Sequence, residues 1–108
     1  MAKVLKVGVI GAGAAARLVH LPALDRVPEA EVLVIADTHL ERAEALARRH
    51  GIPIVTPDLH ALLRREEVDA VCLCTPPACH AEQIAAAIEA GKHVLCEMPL
   101  VLDPMQGA

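Results

Sequence analysis

The tightest constraint on this chain is the join between Val4–Ile10 and the small-residue run Gly11-Ala12-Gly13-Ala14-Ala15-Ala16. An apolar, β-branched run ending in glycine reads as a buried strand. The segment from Ala14 to about His20 is helical in composition, and Pro22 is expected to interrupt that helix or start a new turn. A strand can pass so abruptly into a helix only where side chains are small. Gly11 permits the tight turn, and Ala16 lets the helix pack closely on the strand it leaves.

The rest of the chain repeats the alternation. Glu31–Ala36 is a second buried strand, stopped by Asp37, and a helix follows from Thr38. Thr38 and Glu41 have capping-box spacing. Leu40, Ala43 and Ala47 share a helix face, Glu44 and Arg48 form an i,i+4 pair, and Gly51 suits the position past the helix end. A short strand at Ile52–Val55 and a short helix around Asp58–Arg64 come next. Ala70–Cys74 is an apolar strand halted by Pro76-Pro77, Ala81–Ala90 a helix with Ile84 and Ile88 on one stripe, and Val94–Cys96 a fifth strand halted at Pro99. Asp103-Pro104 reads as the start of another helix. Strands apolar throughout, alternating with amphipathic helices, predict a parallel sheet covered on both faces. The expected fold class is therefore α/β, a doubly wound Rossmann-type sheet of about five strands, in one domain over residues 1–108.

Composition narrows the chemistry. Hydrophobic residues make up 55% of the chain, yet it has no Phe, Tyr or Trp. Without tyrosine, the general acid of short-chain dehydrogenases and aldo-keto reductases is missing. Without aromatic platforms there is nothing on which bases can stack. A net charge of −4 gives no footprint for nucleic acid or an anionic membrane. The short basic clusters Arg48-Arg49-His50 and Arg64-Arg65 fall near helix C-termini, where cations complement the dipole. Lys3, Lys6 and the apolar run Val7–Ala16 imitate a secretory signal, but the glycines within the run argue against one. The expectation is a cytoplasmic protein.

The glycine run carries the pattern G-x-G-x-x-A at Gly11, Gly13 and Ala16. In its context, after a strand and opening a helix, this is the fingerprint of a dinucleotide loop. Gly13 lets the backbone approach a pyrophosphate, and the helix N-terminus offers N–H groups and a positive dipole end. Asp37 ends the next strand, 24 residues beyond Gly13, near the spacing of the acid that binds the adenosine ribose hydroxyls. It also suits a helix N-cap, and the two roles are compatible. An acid there repels a 2′-phosphate and favours NAD over NADP, while an Arg42 near the same site would admit NADP.

The second half adds three motifs in order: Thr75-Pro76-Pro77-x-x-His80, Ala90-Gly91-Lys92-His93-Val94-Leu95 and Glu97-Met98-Pro99-Leu100. With His20-Leu21-Pro22-Ala23-Leu24 after the glycine loop, the series resembles the N-terminal domain of the Gfo/Idh/MocA oxidoreductases over nearly the whole chain. The resemblance implies that Gly11, Gly13 and Ala16 line the pyrophosphate, with Ala12, Ala14 and Ala15 along the same loop. It implies that Asp37, with Thr38 beside it, holds the adenosine ribose. Thr75, Pro76 and His80 would border the dinucleotide, with Pro77 where the family often has Asn, and Glu97 would approach the nicotinamide ribose.

Two departures stand out. Met98 occupies the place of the lysine in the family's Glu-Lys-Pro signature, and a thioether cannot exchange the proton that this lysine is thought to move; Lys92 is no substitute by motif. Family members also run, by resemblance, to about three times this length, with a C-terminal α/β domain that supplies the substrate site. The expectation is a domain cut before its last strand that binds the dinucleotide and turns over little alone. In the complete enzyme it would serve hydride transfer to or from a sugar, polyol or related carbonyl substrate. The alternative is a non-catalytic nucleotide-binding or oligomerisation module, a homo-oligomer assembled through the exposed sheet edge.

Cys72, Cys74, Cys79 and Cys96, with His80 and His93, invite a metal reading. Cys72 and Cys74 point to one face of a strand, and Cys74, Cys79, His80 and Cys96 are expected at one rim. No C-x2-C knuckle is present, buried cysteine is a common small hydrophobe, and no metal is expected. A disulfide is disfavoured in the cytoplasm. His20 reads as a helix-end residue satisfying backbone groups, and His39, His50 and His60 as solvated.

Overall fold

Because the apolar strands must be covered on both faces, the helices that follow them divide between the two sides of one sheet. The computed structural model describes residues 4–96 and 100–102. Its strands are β1 (Leu5–Ile10), β2 (Ala30–Ala36), β3 (Ile54–Thr56), β4 (Ala70–Leu73), β5 (His93–Cys96) and β6 (Leu100–Leu102). They lie in the order β3-β2-β1-β4-β5-β6. The first five are parallel, as expected. The sixth was not anticipated: it returns antiparallel to β5, with Leu95 opposite Val101. The edge of β5 that the sequence left open is therefore covered by β6. The expected helix start at Asp103-Pro104 lies outside the described residues.

Period-2 alternation sorts the core into two layers. Val7, Val9, Cys72 and Cys74 face one side, where they meet Ala16 and Leu21 of the first helix and Ala43, Leu46 and Ala47 of the second. Ile10, Val34, Val71 and Leu73 face the other, against Leu62, Leu63 and Ala87. Alanine at the helix contacts brings backbones close, so no aromatic side chain is needed to fill either layer.

The first helix, α1, is a π-helical turn, Ala16–His20, running directly into an α-helical turn, Leu21–Leu24. Of the two expectations for Pro22, the new turn is the one that forms: Pro22 lies in the first turn of the second segment. Its ring would crowd the carbonyl four residues back and it lacks an N–H, so the turn before it widens and the Leu21 N–H donates to Ala16 O.

The second helix, α2 (Leu40–His50), starts at His39 without a side-chain cap, so the expected Thr38/Glu41 capping box does not form. It ends at Gly51 in the left-handed conformation, φ 68°, as its sequence position demands. His50 is not solvated: its ring Nδ1 lies 2.6 Å from Asp25 Oδ2 and ties the end of α2 to the end of α1. The third helix, α3 (Leu59–Leu63), is capped by Asp58, whose side chain accepts from the His60 N–H. The fourth, α4 (His80–Glu89), follows a 3-10 turn at Pro77–Cys79.

Lys92 is buried, and its Nζ donates to Arg65 O and Val68 O, both at 2.7 Å. It closes the loop that leads into β4, at the end of the sheet away from the glycine turn. Among the described residues no helix is long and apolar enough to cross a membrane. We expect Lys92→Met to lower stability in a denaturant titration by about 1–3 kcal/mol, because one buried and one part-buried carbonyl lose their donor. Dinucleotide affinity, measured in parallel, should stay unchanged.

Candidate functional site

Strand order places β1 between β2 and β4, and the helices leaving β1 and β4 go to opposite faces. A crevice must open where those connections part, at the carboxyl ends of the strands. It is there: a cleft of about 610 Å³ lined by residues including Gly11, Asp37, Thr38, Arg42, Thr75 and Pro76. A second hollow of about 330 Å³ shares Gly11, Asp37, Arg42, Thr75 and Pro76 with it and adds Gly13, Ala14, Ala15 and Cys74. The two form one groove running from the end of β2 across the glycine turn.

Each residue of the turn has a visible task. Gly11 has φ +100°, and a Cβ on it would stand 2.9 Å from the Cys74 carbonyl carbon. No L side chain fits there, so β1 and β4 approach closely just below the groove. Gly13 is the reverse case, since a Cβ added to it would meet nothing within 4 Å. Its exposure to open space, beside a helix N-terminus with N–H groups that have no intrahelical partner, suits a ligand phosphate. Ala16 is fully buried against the sheet.

Asp37 holds this turn to β2. Its Oδ2 accepts the Ala12 N–H at 2.7 Å, and its Oδ1 accepts the His39 N–H at 2.7 Å. Arg42 Nη2 donates to both oxygens, at 3.2 and 3.1 Å. The Asp37 side chain is 5% exposed and that of Arg42 53%. Burial alone would push the Asp37 carboxyl up, but the N–H groups of His39 and Ala12 and the Arg42 guanidinium outweigh it and hold it below the ordinary carboxylate range. Asp37 thus lines the groove as anticipated but is not the helix N-cap: that position is His39, whose own N–H the carboxylate accepts in the turn before α2.

The other rim is built by β4 and α4. The Thr75 hydroxyl donates to the Gln83 side-chain oxygen. His80 Nε2 lies 2.7 Å from Thr75 O, and since a carbonyl only accepts, that nitrogen carries the proton. His80 is therefore turned onto the backbone of Thr75, outside the lining of the groove, and positions the Thr75-Pro76 rim. Ala12 likewise acts through its N–H and lines neither hollow. Gln83, Pro57 and Leu59 line the cleft without having been anticipated; the signal for Gln83 was its place one turn along α4 from His80. Glu97, with Met98 and Pro99, lies outside the described residues.

Among the described side chains, Cys74, Cys79 and His80 do not gather as expected, and the Cys96 side chain lies outside them. Cys72 and Cys74 face α1, whereas the Pro76-Pro77 turn carries Cys79 and His80 toward α4 on the opposite face of the sheet. The two strand thiols are 3.8 Å apart. Their mutual hydrogen bond and burial push the Cys74 thiol well above its ordinary value. The residue that joins them is His20, whose ring makes no hydrogen bond to backbone groups among the described residues.

Comparison with known proteins agrees with this geometry. Residues 5–108 match the model of an oxidoreductase family with an NAD-binding Rossmann fold, GFO_IDH_MocA. The structure of KijD10, a 3-ketoreductase from Actinomadura kijaniata in complex with NADP and TDP-benzene, is similar with a TM-score of 0.83. It is 44% identical over 91% of this chain and 30% of that one. The D-glucoside 3-dehydrogenase of Escherichia coli is 37% identical over 94% of this chain and 29% of its own length. The inositol 2-dehydrogenase of Rhodococcus erythropolis is 40% identical over 93% and 28%. The chain spans under a third of the length of these relatives.

The depressed Asp37 carboxyl gives a pH prediction. Its stabilisation is complete above the ordinary value of 3.8 and is lost as pH falls through the lower folded-state value. Asp37→Asn should cost about 1–3 kcal/mol at neutral pH. It should also flatten the loss of stability below that ordinary carboxylate value when denaturant midpoints are measured across the acid range.

Proposed function

Since the chain belongs to the Gfo/Idh/MocA oxidoreductase family, of which it forms the NAD-binding Rossmann domain, we propose that its groove holds the dinucleotide in one orientation. The pyrophosphate lies over Gly11–Ala15, the adenosine ribose lies at Asp37 and Thr38, and Thr75-Pro76 forms the far wall. The observation that carries this reading is the double use of Asp37. One carboxylate fixes the glycine turn through Ala12 and also faces the groove at the end of β2. The residues fit the group: an open Gly13, a helix N-terminus for the phosphates and an acid for the ribose.

When bound, the nicotinamide supplies or accepts a hydride. The residues of this chain bind and orient it. In the complete enzyme the substrate is a sugar, polyol or related carbonyl compound, a reading supported by the sugar-linked chemistry in the names of the relatives. With Met98 in place of the family lysine, proton transfer falls to groups beyond this domain, and the isolated chain binds cofactor with little turnover. The acidic balance and the free thiols Cys72, Cys74 and Cys79 favour a cytoplasmic protein with small-molecule partners.

NADH fluorescence tests binding directly, because the chain has no tryptophan or tyrosine background. Saturable enhancement, competed by NAD, is the expected result. No fluorescence change and no calorimetric heat at millimolar ligand would overturn the reading.

Cofactor preference rests on the Asp37–Arg42 pair. Asp37 is buried and fixed, whereas Arg42 is half-exposed on a long side chain. For NAD, Arg42 swings off the carboxylate and the ribose hydroxyls take its place; for NADP, the same guanidinium meets the 2′-phosphate. We expect NAD to be preferred. Arg42→Ala should weaken NADPH binding by about tenfold or more and change NADH binding by less than about threefold, since a charge-assisted phosphate contact is lost only for NADPH. An equal loss for both would show that Arg42 only supports the fold.

A further inference from the structure

The sulfurs of Cys72, on β4, and Cys74, just past its end, form with one imidazole a set of ligand atoms on the α1 face of the sheet. Cys72 and Cys74 alternate onto the α1 face of the sheet and are 2% and 7% exposed. The π-helical turn before Pro22 ends at His20 and delivers its half-buried ring to the same place. The ligand atoms of His20, Cys72 and Cys74 all lie within 4.8 Å of one another. No hydrogen bond engages the His20 ring among the described residues.

We propose that His20, Cys72 and Cys74 bind a zinc ion that fastens α1 to β4 beneath the glycine turn. The distance supports it. Two zinc–thiolate bonds of about 2.3 Å at a tetrahedral angle span about 3.8 Å, and the two Sγ atoms are 3.8 Å apart. The third edge closes when the His20 ring turns on its side-chain bonds. Charge supports it as well. Two thiolates neutralise a divalent ion, whereas a monovalent soft ion would leave a negative charge buried beside apolar side chains. As the two Zn–S bonds form, two thiol protons pass to solvent. Three protein ligands leave a fourth position for water.

The site ties the helix that opens at the phosphate-facing turn to the strand beneath that turn. Cys74 is the link: its N–H donates to Ile10 O at 2.8 Å, and its carbonyl carbon is the atom that excludes a side chain at Gly11. This inference is independent of the dinucleotide reading, and either can fail alone.

The test uses cobalt(II) as a spectroscopic stand-in for zinc, added anaerobically to the whole chain carrying Cys79→Ser and Cys96→Ser. With no aromatic residue in the chain, sulfur-to-cobalt charge-transfer bands appear against a blank near-ultraviolet region. The expected result is one cobalt per chain in a tetrahedral visible spectrum, displaced by stoichiometric zinc. Cys72→Ser and Cys74→Ser should each abolish the charge-transfer intensity they contribute. His20→Gln should weaken binding by at least about tenfold, as loss of a direct ligand does. His20 is only half-buried, so that variant keeps its circular dichroism even where the cysteine variants fail to fold. Absence of tight cobalt binding to the folded chain would overturn the proposal. So would a His20→Gln variant with unchanged affinity and spectrum.

Discussion

One hydrogen bond, from the Ala12 N–H to Asp37 Oδ2, holds the working end of this molecule together. The glycine turn has little of its own to fix it, because the residues that make room for a phosphate are those without side chains. An anchor must therefore come from a neighbouring strand, and the parallel order puts the end of β2 beside the end of β1. A carboxylate there satisfies a buried amide of the turn, begins the path into α2 through His39, and still faces the groove. Arg42 balances its charge. Because these duties fall on one group, the turn and the β2 end of the groove are set in a fixed relation.

The absence of aromatic side chains is consistent with this economy of volume. The sheet is covered on both faces by helices whose contacts are alanine, leucine and valine, and the two core layers meet no polar obstacle except where function requires one. Asp37 and Lys92, the buried charged groups among the described residues, sit at opposite ends of the sheet. Each is fully engaged: one with backbone N–H groups and a guanidinium, the other with two backbone carbonyls. The first borders the groove and the second closes a loop away from it.

Much of the architecture was legible because it depends on neighbours in sequence. Apolar runs located β1 to β5 within one or two residues, Gly51 and Gly91 marked helix ends, and Gly11 with Gly13 and Asp37 marked the groove. What escaped depends on contacts between distant residues or on competition between local choices. The Thr38/Glu41 spacing was right for a capping box, but α2 begins one residue later, with His39 as its N-cap, so Thr38 stands off the capping position. Pro22 was expected to interrupt the helix or start a new turn; it does start one, but the wide turn that leads into it was not foreseen. The motif singled out His80 but did not reveal that its ring bonds the Thr75 carbonyl. The approach of His20 to Cys72 and Cys74 brings together residues half the chain apart, which no spacing rule could indicate.

The central position of β1 has a consequence for how the molecule comes into being. Its partner on one side, β2, follows after a single helix, but its partner on the other, β4, arrives some 63 residues later, as in the Lys6 to Asp69 contact. Closing so large a loop costs entropy before any pairing repays it, so the β1–β4 seam is the more costly of the two pairings of β1 to form. The groove lies along that seam. Until β4 docks, Gly11 has no wall against which to turn and Thr75 no place to stand, so the half-built chain has no pocket with which to capture its ligand. Competence to bind is in this sense a readout of completed topology.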